Sequence, residues 1–243
     1  YIGDLGCVPL PMGESSPYFE PPIIETTLAD AATTPWPMGD SASQVLPVGD
    51  IDSEKLDAAL DVFFTEGALS AATVVTVQGQ IVAERYGPGI TPQMPLESWS
   101  MGKSLTATLL GVLIQQGEYV LTQPAPIPEW QAVGDLRQAI QIQDILRISS
   151  GLRCPSPYDP EVHSSIDYFD HHYLYTGTVD SFAYAANRPQ QWPPNTVGRY
   201  RNCDPVLANY LIRLAVEARG DNYHQFPQTA LFDKIGIRNL IFQ

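Results

Sequence analysis

Two short patterns hold the residue types that acyl chemistry uses. Ser100-Met101-Gly102-Lys103, within "LESWSMGKSLTATLLGVLIQQG", sets a hydroxyl three residues before one of the chain's three lysines. Tyr200-Arg201-Asn202, within "PPNTVGRYRNCDP", sets a phenol two residues before an amide. A serine in the first turn of a helix and a lysine one turn later lie on one face, within reach of each other. The helix start also offers free N–H groups and the positive end of its dipole, which favour an oxyanion. Together with desolvation, that positive end pushes a lysine toward the neutral form that can act as a base. The chemistry allowed is attack by Ser100 with Lys103 as its base. The plainer reading is a helix-capping serine and a surface lysine. Either triplet can arise by chance, so the elements around them must decide.

Both triplets abut a helix start. "SLTATLLGVLIQQG" is apolar or small on all sides, which predicts a helix buried in the middle of a domain. "DPVLANYLIRLAVEARG" predicts a helix with Asp204 as N-cap, Pro205 in the first helical position and Gly220 at the stop. Between them "IQIQDILRISSGL" reads as a short helix ending near Gly151. Upstream, "DSEKLDAALDVFFTEG" puts Leu56, Ala59, Leu60, Phe63 and Phe64 on one face of a helix that stops near Gly67. "ATVVTVQGQIVAERYG" reads as two β-branched strands turning at Gln78-Gly79, a hairpin over residues 73–86. A helix followed by a hairpin predicts a sheet with a helix packed on it.

The first 50 residues, rich in Pro, Ser, Thr and Asp, read as an extended arm, and residues 51–243 as the folded body. Residues 153–188 are polar and aromatic without clear periodicity, the composition of a long loop or lid with helical pieces. Its tyrosines, Tyr158, Tyr168, Tyr173 and Tyr175, are candidates for lining a substrate pocket, with Tyr168 and Tyr173 taken as substrate contacts. His163, Asp167, Asp170, His171 and His172 cluster in the same stretch. Of these, Asp167 and His171 have the spacing of metal ligands on a helix, without a clear third ligand.

With 27 acidic against 13 basic residues and a net charge of -14, the chain lacks the clustered cations of a nucleic-acid binder. No apolar run reaches the roughly 18 to 20 residues of a membrane helix, so no membrane span is expected. At 243 residues and 44% hydrophobic, it can bury a substantial core. It begins at Tyr1 rather than Met, the start expected where a leader or a first stretch has been removed. Cys7, Cys154 and Cys203 match no zinc spacing, and unrelated thiols are the simplest reading of them.

The segments "SMGKSLTATLLGVLIQQG", "ILRISSGL", "PPNTVGRYRNCDPVLANYLI" and "LFDKIGIRN", in that order, resemble the serine β-lactamase and penicillin-binding superfamily. The closer likeness is to its class C-like serine hydrolases, including esterases and 6-aminohexanoate-dimer hydrolases. The resemblance covers roughly residues 51–243 and implies an α+β fold of the β-lactamase/transpeptidase type, a helical region packed on an antiparallel sheet. It implies that Ser100 is acylated, that Lys103 in neutral form and Tyr200 move its proton, and that Asn202 orients the pair. Neither metal nor organic cofactor is called for, and the partner is a small-molecule acyl substrate: an ester, an amide or a β-lactam. The family writes Pro-Gly ahead of the tyrosine motif. Pro194-Asn195 stands here, and Asn tolerates the left-handed turn conformation that Gly would supply.

The family's third motif, Lys-Thr-Gly or His-x-Gly on a strand, has no counterpart. Lys234-Ile235-Gly236 is rejected as a substitute because it reads as a helix end followed by a glycine turn. The resemblance therefore implies that a C-terminal portion of the same protein carries the remaining strands and one oxyanion donor. It also brings Cys154 and Cys203 near each other, so a disulfide between them, and with it an oxidising periplasmic or secreted location, is an expectation. Two rivals stand beside this reading. A Ser-His-Asp hydrolase would require Ser98-Trp99-Ser100-Met101-Gly102 to act as a nucleophile elbow, although it matches only at the serine and last glycine. A noncatalytic peptidoglycan- or penicillin-binding module would use the same pocket without turnover.

Overall fold

A computed structural model describes residues 8–17, 22, 24–41, 49, 51–160 and 169–240. Contacts divide the chain into two units. One is built on Thr26–Leu96 with the stretch from Phe232 onward, the other on the segment ending at Glu25 together with Glu97–Leu231.

In the first unit the Asp52 carboxylate accepts from the Lys55 N–H at 3.1 Å and starts helix α1 (Ser53–Phe63), as a capping acid does. Strands β1 (Ala72–Val77) and β2 (Gln80–Tyr86) pair antiparallel, with a register slip between Val75 and Thr76 that marks a bulge. Gln78 and Gly79 both have positive φ, 50° and 78°, the conformation a two-residue hairpin turn demands. Arg85 of β2 reaches α1, its Nη1 lying 2.5 Å from Asp61 Oδ1. The apolar face expected of α1 is only partly covered. Leu60 is buried and Leu56 and Phe64 half-buried, while Ala59 and Phe63 are exposed. Two strands offer too little surface to bury a whole helix face. The Asp233 carboxylate accepts from the hydroxyls of Thr26 and Thr27 at 2.8 and 2.9 Å. Lys234 and Ile235 end the short helix α7 (Asp233–Ile235), and Gly236 stops it at φ 79°, as the sequence predicts.

In the second unit helix α6 (Cys203–Ala218) is the hub, packed by α2 (Gly102–Gln115), α3 (Ile142–Leu146) and α5 (Ser181–Ala186). Leu207, Leu211 and Ala215, with Ala208, Ile212 and Val216, form two adjacent i, i+4 rows, all buried. Thr106, Leu109, Leu110 and Leu113 bury the matching stripe of α2. The expectation that α2 is buried all round needs correction: Ser104, Ala107, Thr108 and Gly111 are exposed. These side chains are too small to compel burial, and the large apolar residues all fall on the other face. Trp130 is fully buried and donates from Nε1 to the Ala186 carbonyl at 2.8 Å, satisfying its polar atom inside the core.

Helix α3 is also shorter than expected. It ends at Leu146, after which Ile148 turns left-handed (φ 53°) and the Ser149 N–H returns to the Asp144 carbonyl at 2.8 Å. Gly151 has another task. At φ 79° it accepts from the N–H groups of Gln191 and Trp192, and an added Cβ would lie 2.1 Å from the Trp192 oxygen. The lid contains α4 (Asp170–Thr176) and α5 as helical pieces, and residues 161–168, hence His163, Asp167 and Tyr168, lie outside the described residues. Among the described residues no helix is long and apolar enough to cross a membrane. Because Gly151→Ala combines left-handed strain with a backbone clash, we expect it to lower unfolding free energy by at least ~2 kcal/mol in urea denaturation.

Candidate active site

The first helical turn before α2 is a 3₁₀ turn, Trp99–Met101, rather than the α-helical start that the pattern predicts. Trp99 is held at φ 45°, a strained conformation for a bulky residue. Its consequence is to present Ser100 at the surface between two exposed side chains, Trp99 and Met101. One turn on, Lys103 is half-buried, and its Nζ donates to Ser100 Oγ at 3.0 Å and to Asn202 Oδ1 at 2.9 Å. The same ammonium nitrogen lies 5.1 Å from the centroid of the Tyr200 ring. A hydrogen bond from the Ser100 hydroxyl, with the charge of Lys103, holds the Tyr200 phenol below its ordinary value. Ser100, Lys103, Tyr200 and Asn202 are thus brought together from sequence positions a hundred residues apart.

The tyrosine motif is fastened by the residues that alternate with Tyr200 and Asn202. Asn195 takes φ 59°, the left-handed turn that the Pro194-Asn195 pair predicts, and donates to the Ser149 carbonyl at 2.8 Å. The N-cap of α6 is Asn202, not Asp204. Asn202 makes no capping bond with its side chain, because its amide is used elsewhere. Oδ1 accepts from Lys103, and Nδ2 donates to the His171 carbonyl at 3.1 Å. Asp204 sits in the first turn, fully buried, with Oδ2 3.4 Å from Arg201 Nε. Burial pushes its carboxyl up to about 6 against the attraction of Arg201 and a loose contact with Ser150. Arg201, also buried, donates from Nη1 to the Leu152 carbonyl. Cys203 is joined by a disulfide to Cys154, the pairing that the family resemblance implies. Cys7 lies outside the described residues.

A cavity of about 510 Å³ opens beside Ser100, with Trp99, Tyr158, His171, Tyr175 and Tyr200 in its wall. The rings meet edge to face: Trp99 with Tyr175 at 5.9 Å, Tyr158 with Tyr200 at 5.9 Å and Tyr158 with His171 at 5.8 Å. His171 is buried, and desolvation, with His172 and Lys103 nearby, lowers its pKa to about 4, so the imidazole is neutral at pH 7. Burial raises the Tyr175 phenol. Of the two tyrosines taken as substrate contacts, Tyr168 lies outside the described residues. Tyr173 is not in the cavity wall, and its ring lies 5.3 Å from that of Tyr184. Tyr175 and His171, one helical turn apart on α4, face the cavity instead. Their i, i+4 spacing was the available signal, had α4 been recognised as a helix. Among the described residues no three His, Cys, Asp or Glu side chains converge as a metal site requires.

The β-lactamase family profile matches residues 54–243. No curated protein sequence matches the chain. Among solved structures, a "putative beta-lactamase" from Bacteroides dorei DSM 17855 superposes with a TM-score of 0.58 at 21% identity, over 78% of this chain and 53% of that one. A "putative 6-aminohexanoate-dimer hydrolase" from Bacillus anthracis gives a TM-score of 0.60 at 19% identity, over 88% and 56%. The chain spans about half the length of each, and at these identities the likeness is one of fold.

Two expectations follow from this geometry. The disulfide closes a loop across a sequence separation of 49, so reducing it should cost on the order of 4 kcal/mol of stability, read as a shift in the urea midpoint with and without reductant. His171 has a folded pKa near 4, below its unfolded value of 6.5, so its contribution to stability is present above pH 6.5 and is lost as pH falls toward 4. Between pH 7 and 4.5, His171→Gln should therefore lose on the order of 2 to 3 kcal/mol less than the parent, measured by the same denaturation.

Proposed function

The chain belongs to the β-lactamase family, and from that premise we propose that it is a serine hydrolase acylated on Ser100. The observation that carries this reading is the position of Lys103, whose Nζ donates at once to Ser100 Oγ (3.0 Å) and Asn202 Oδ1 (2.9 Å). Because Lys103 donates to Ser100, the serine's own proton is directed at the Tyr200 oxygen. In the proposed cycle Ser100 Oγ attacks a carbonyl carbon and its proton passes to the Tyr200/Lys103 pair, the phenolate being stabilised by the lysine's charge. The Ser100 N–H supplies one oxyanion donor, and a strand N–H from the half of the fold that the chain does not span supplies the other. The tetrahedral intermediate collapses, the leaving group takes the proton, and water attacks the acyl-enzyme with the same pair as base. Asn202 keeps Lys103 in place, since its amide is itself fixed by the His171 carbonyl.

The substrate is a small ester or amide, or a β-lactam, with its acyl group in the aromatic cavity and Tyr175 in the contact role expected of Tyr173. The disulfide supports a periplasmic or secreted location, where such bonds persist.

Reaction with a fluorophosphonate probe, followed by intact mass, tests the reading. One adduct is expected on the parent and none on Ser100→Ala. Tyr200→Phe should slow acylation by ~10² to 10⁴-fold. In the parent, acylation should rise with pH through a pKa below the ordinary phenol value of 10, and that step should vanish in the variant. An adduct that survives Ser100→Ala would overturn the assignment, and labelling without turnover of any ester would favour the noncatalytic binding module.

A further inference from the structure

The cavity beside Ser100 has one wall that lies outside the family match. That match covers residues 54–243, yet Pro9 stands in the wall with Ser100, Trp99 and Thr176. The segment around it is laid down in a defined way. The Met12 N–H donates to the Thr176 carbonyl, at the end of α4, at 3.0 Å, and Pro11 is buried. Directly after, the Glu14 N–H closes a turn on the Pro11 carbonyl at 3.0 Å, with Gly13 at φ 83°. That is a type II turn, whose third position requires the positive φ that Gly adopts freely. In Val8-Pro9-Leu10-Pro11-Met12 two prolines fix φ and remove donors, so the segment is stiff before it binds and loses little entropy on docking.

We propose that residues 8–12 are a specificity-determining strap, which closes the cavity beside Ser100 so that compact acyl groups enter and long acyl chains are excluded. This rests on the reading of Ser100 as the acylated residue. The wall formed by Trp99, Tyr158 and Tyr175 is braced ring against ring and by the core behind α4. The strap is held to α4 through the Met12 N–H, which makes it the wall that one substitution can release.

Met12→Pro is the sharpest test. It deletes the N–H that bonds Thr176, yet proline suits the second position of a type II turn, so the turn persists and no side chain of the wall changes. Removal of residues 1–12 is the second variant. Hydrolysis of p-nitrophenyl acetate and p-nitrophenyl decanoate is followed in the whole protein, with the half of the fold that supplies the second oxyanion donor present, for the parent, both variants and Ser100→Ala. The parent should favour acetate, and releasing the strap should raise the decanoate-to-acetate ratio of kcat/KM by ~10-fold or more, the scale on which pocket shape discriminates. A parent that takes decanoate as readily as acetate, or a ratio unchanged in both variants, overturns the strap and leaves the role of Ser100 standing. Absence of Ser100-dependent nitrophenolate release from every form overturns that role and the strap with it.

Discussion

The constraint on which the site's geometry rests is the packing of two helix starts closely enough for one lysine nitrogen to join them. Lys103 Nζ bonds Ser100 at the start of α2 and Asn202 at the start of α6, at 3.0 and 2.9 Å. Neither bond would hold its geometry unless the two helices were fixed against each other. That is the task of the apolar rows of α6 and the Leu109, Leu110 and Leu113 stripe of α2. Packing supplies the rigidity and the lysine supplies the link between the two helix starts. A site carried on helices buried along one face is positioned far more closely than one carried on loops.

The Tyr200–Asp204 turn shows the same division of labour within five residues. Tyr200 and Asn202 point to Ser100 and Lys103, while Arg201 and Cys203 bind the turn to Leu152 and Cys154 through a carbonyl and a disulfide, and a buried ion pair joins Arg201 to Asp204 within it. A buried pair such as Arg201 with Asp204 gains little net stability, because desolvating both charges offsets most of their attraction. Its evident effect is orientation: a chain held from behind cannot rotate the phenol away from the serine. Strain at Trp99 and Ile148 sits beside these same segments, as expected where surrounding structure dictates the backbone.

Apolar exposure follows a physical pattern too. Ser104, Ala107, Thr108 and Gly111 are uncovered on α2, and their small side chains lose little by meeting water, whereas Val62 and Phe63 of α1 remain exposed beside a two-stranded hairpin. A single hairpin cannot cover a helix face, and the chain spans about half the length of the structures that it resembles.

Much of this was written in local sequence. The hairpin turn at Gln78-Gly79, the glycine stops at Gly220 and Gly236 and the Asp52 cap are set chiefly by residue types within a few positions. The Ser-x-x-Lys pattern was legible for the same reason: one helical turn decides which side chains share a face. What only the tertiary structure decided involves residues far apart. Asp204 has the residue type of an N-cap, yet its turn is tied into the interior by the bond of Arg201 to the Leu152 carbonyl and by the disulfide of Cys203 to Cys154. Asn202 takes the cap position without capping because Lys103 and His171 claim its amide. Tyr175 rather than Tyr173 meets the cavity, and Pro9 lies within it, because α4 presents one face there and the N-terminal segment docks on its end. Local patterns carry no information about which distant group will compete for a hydrogen bond, and at this site that competition settled the arrangement.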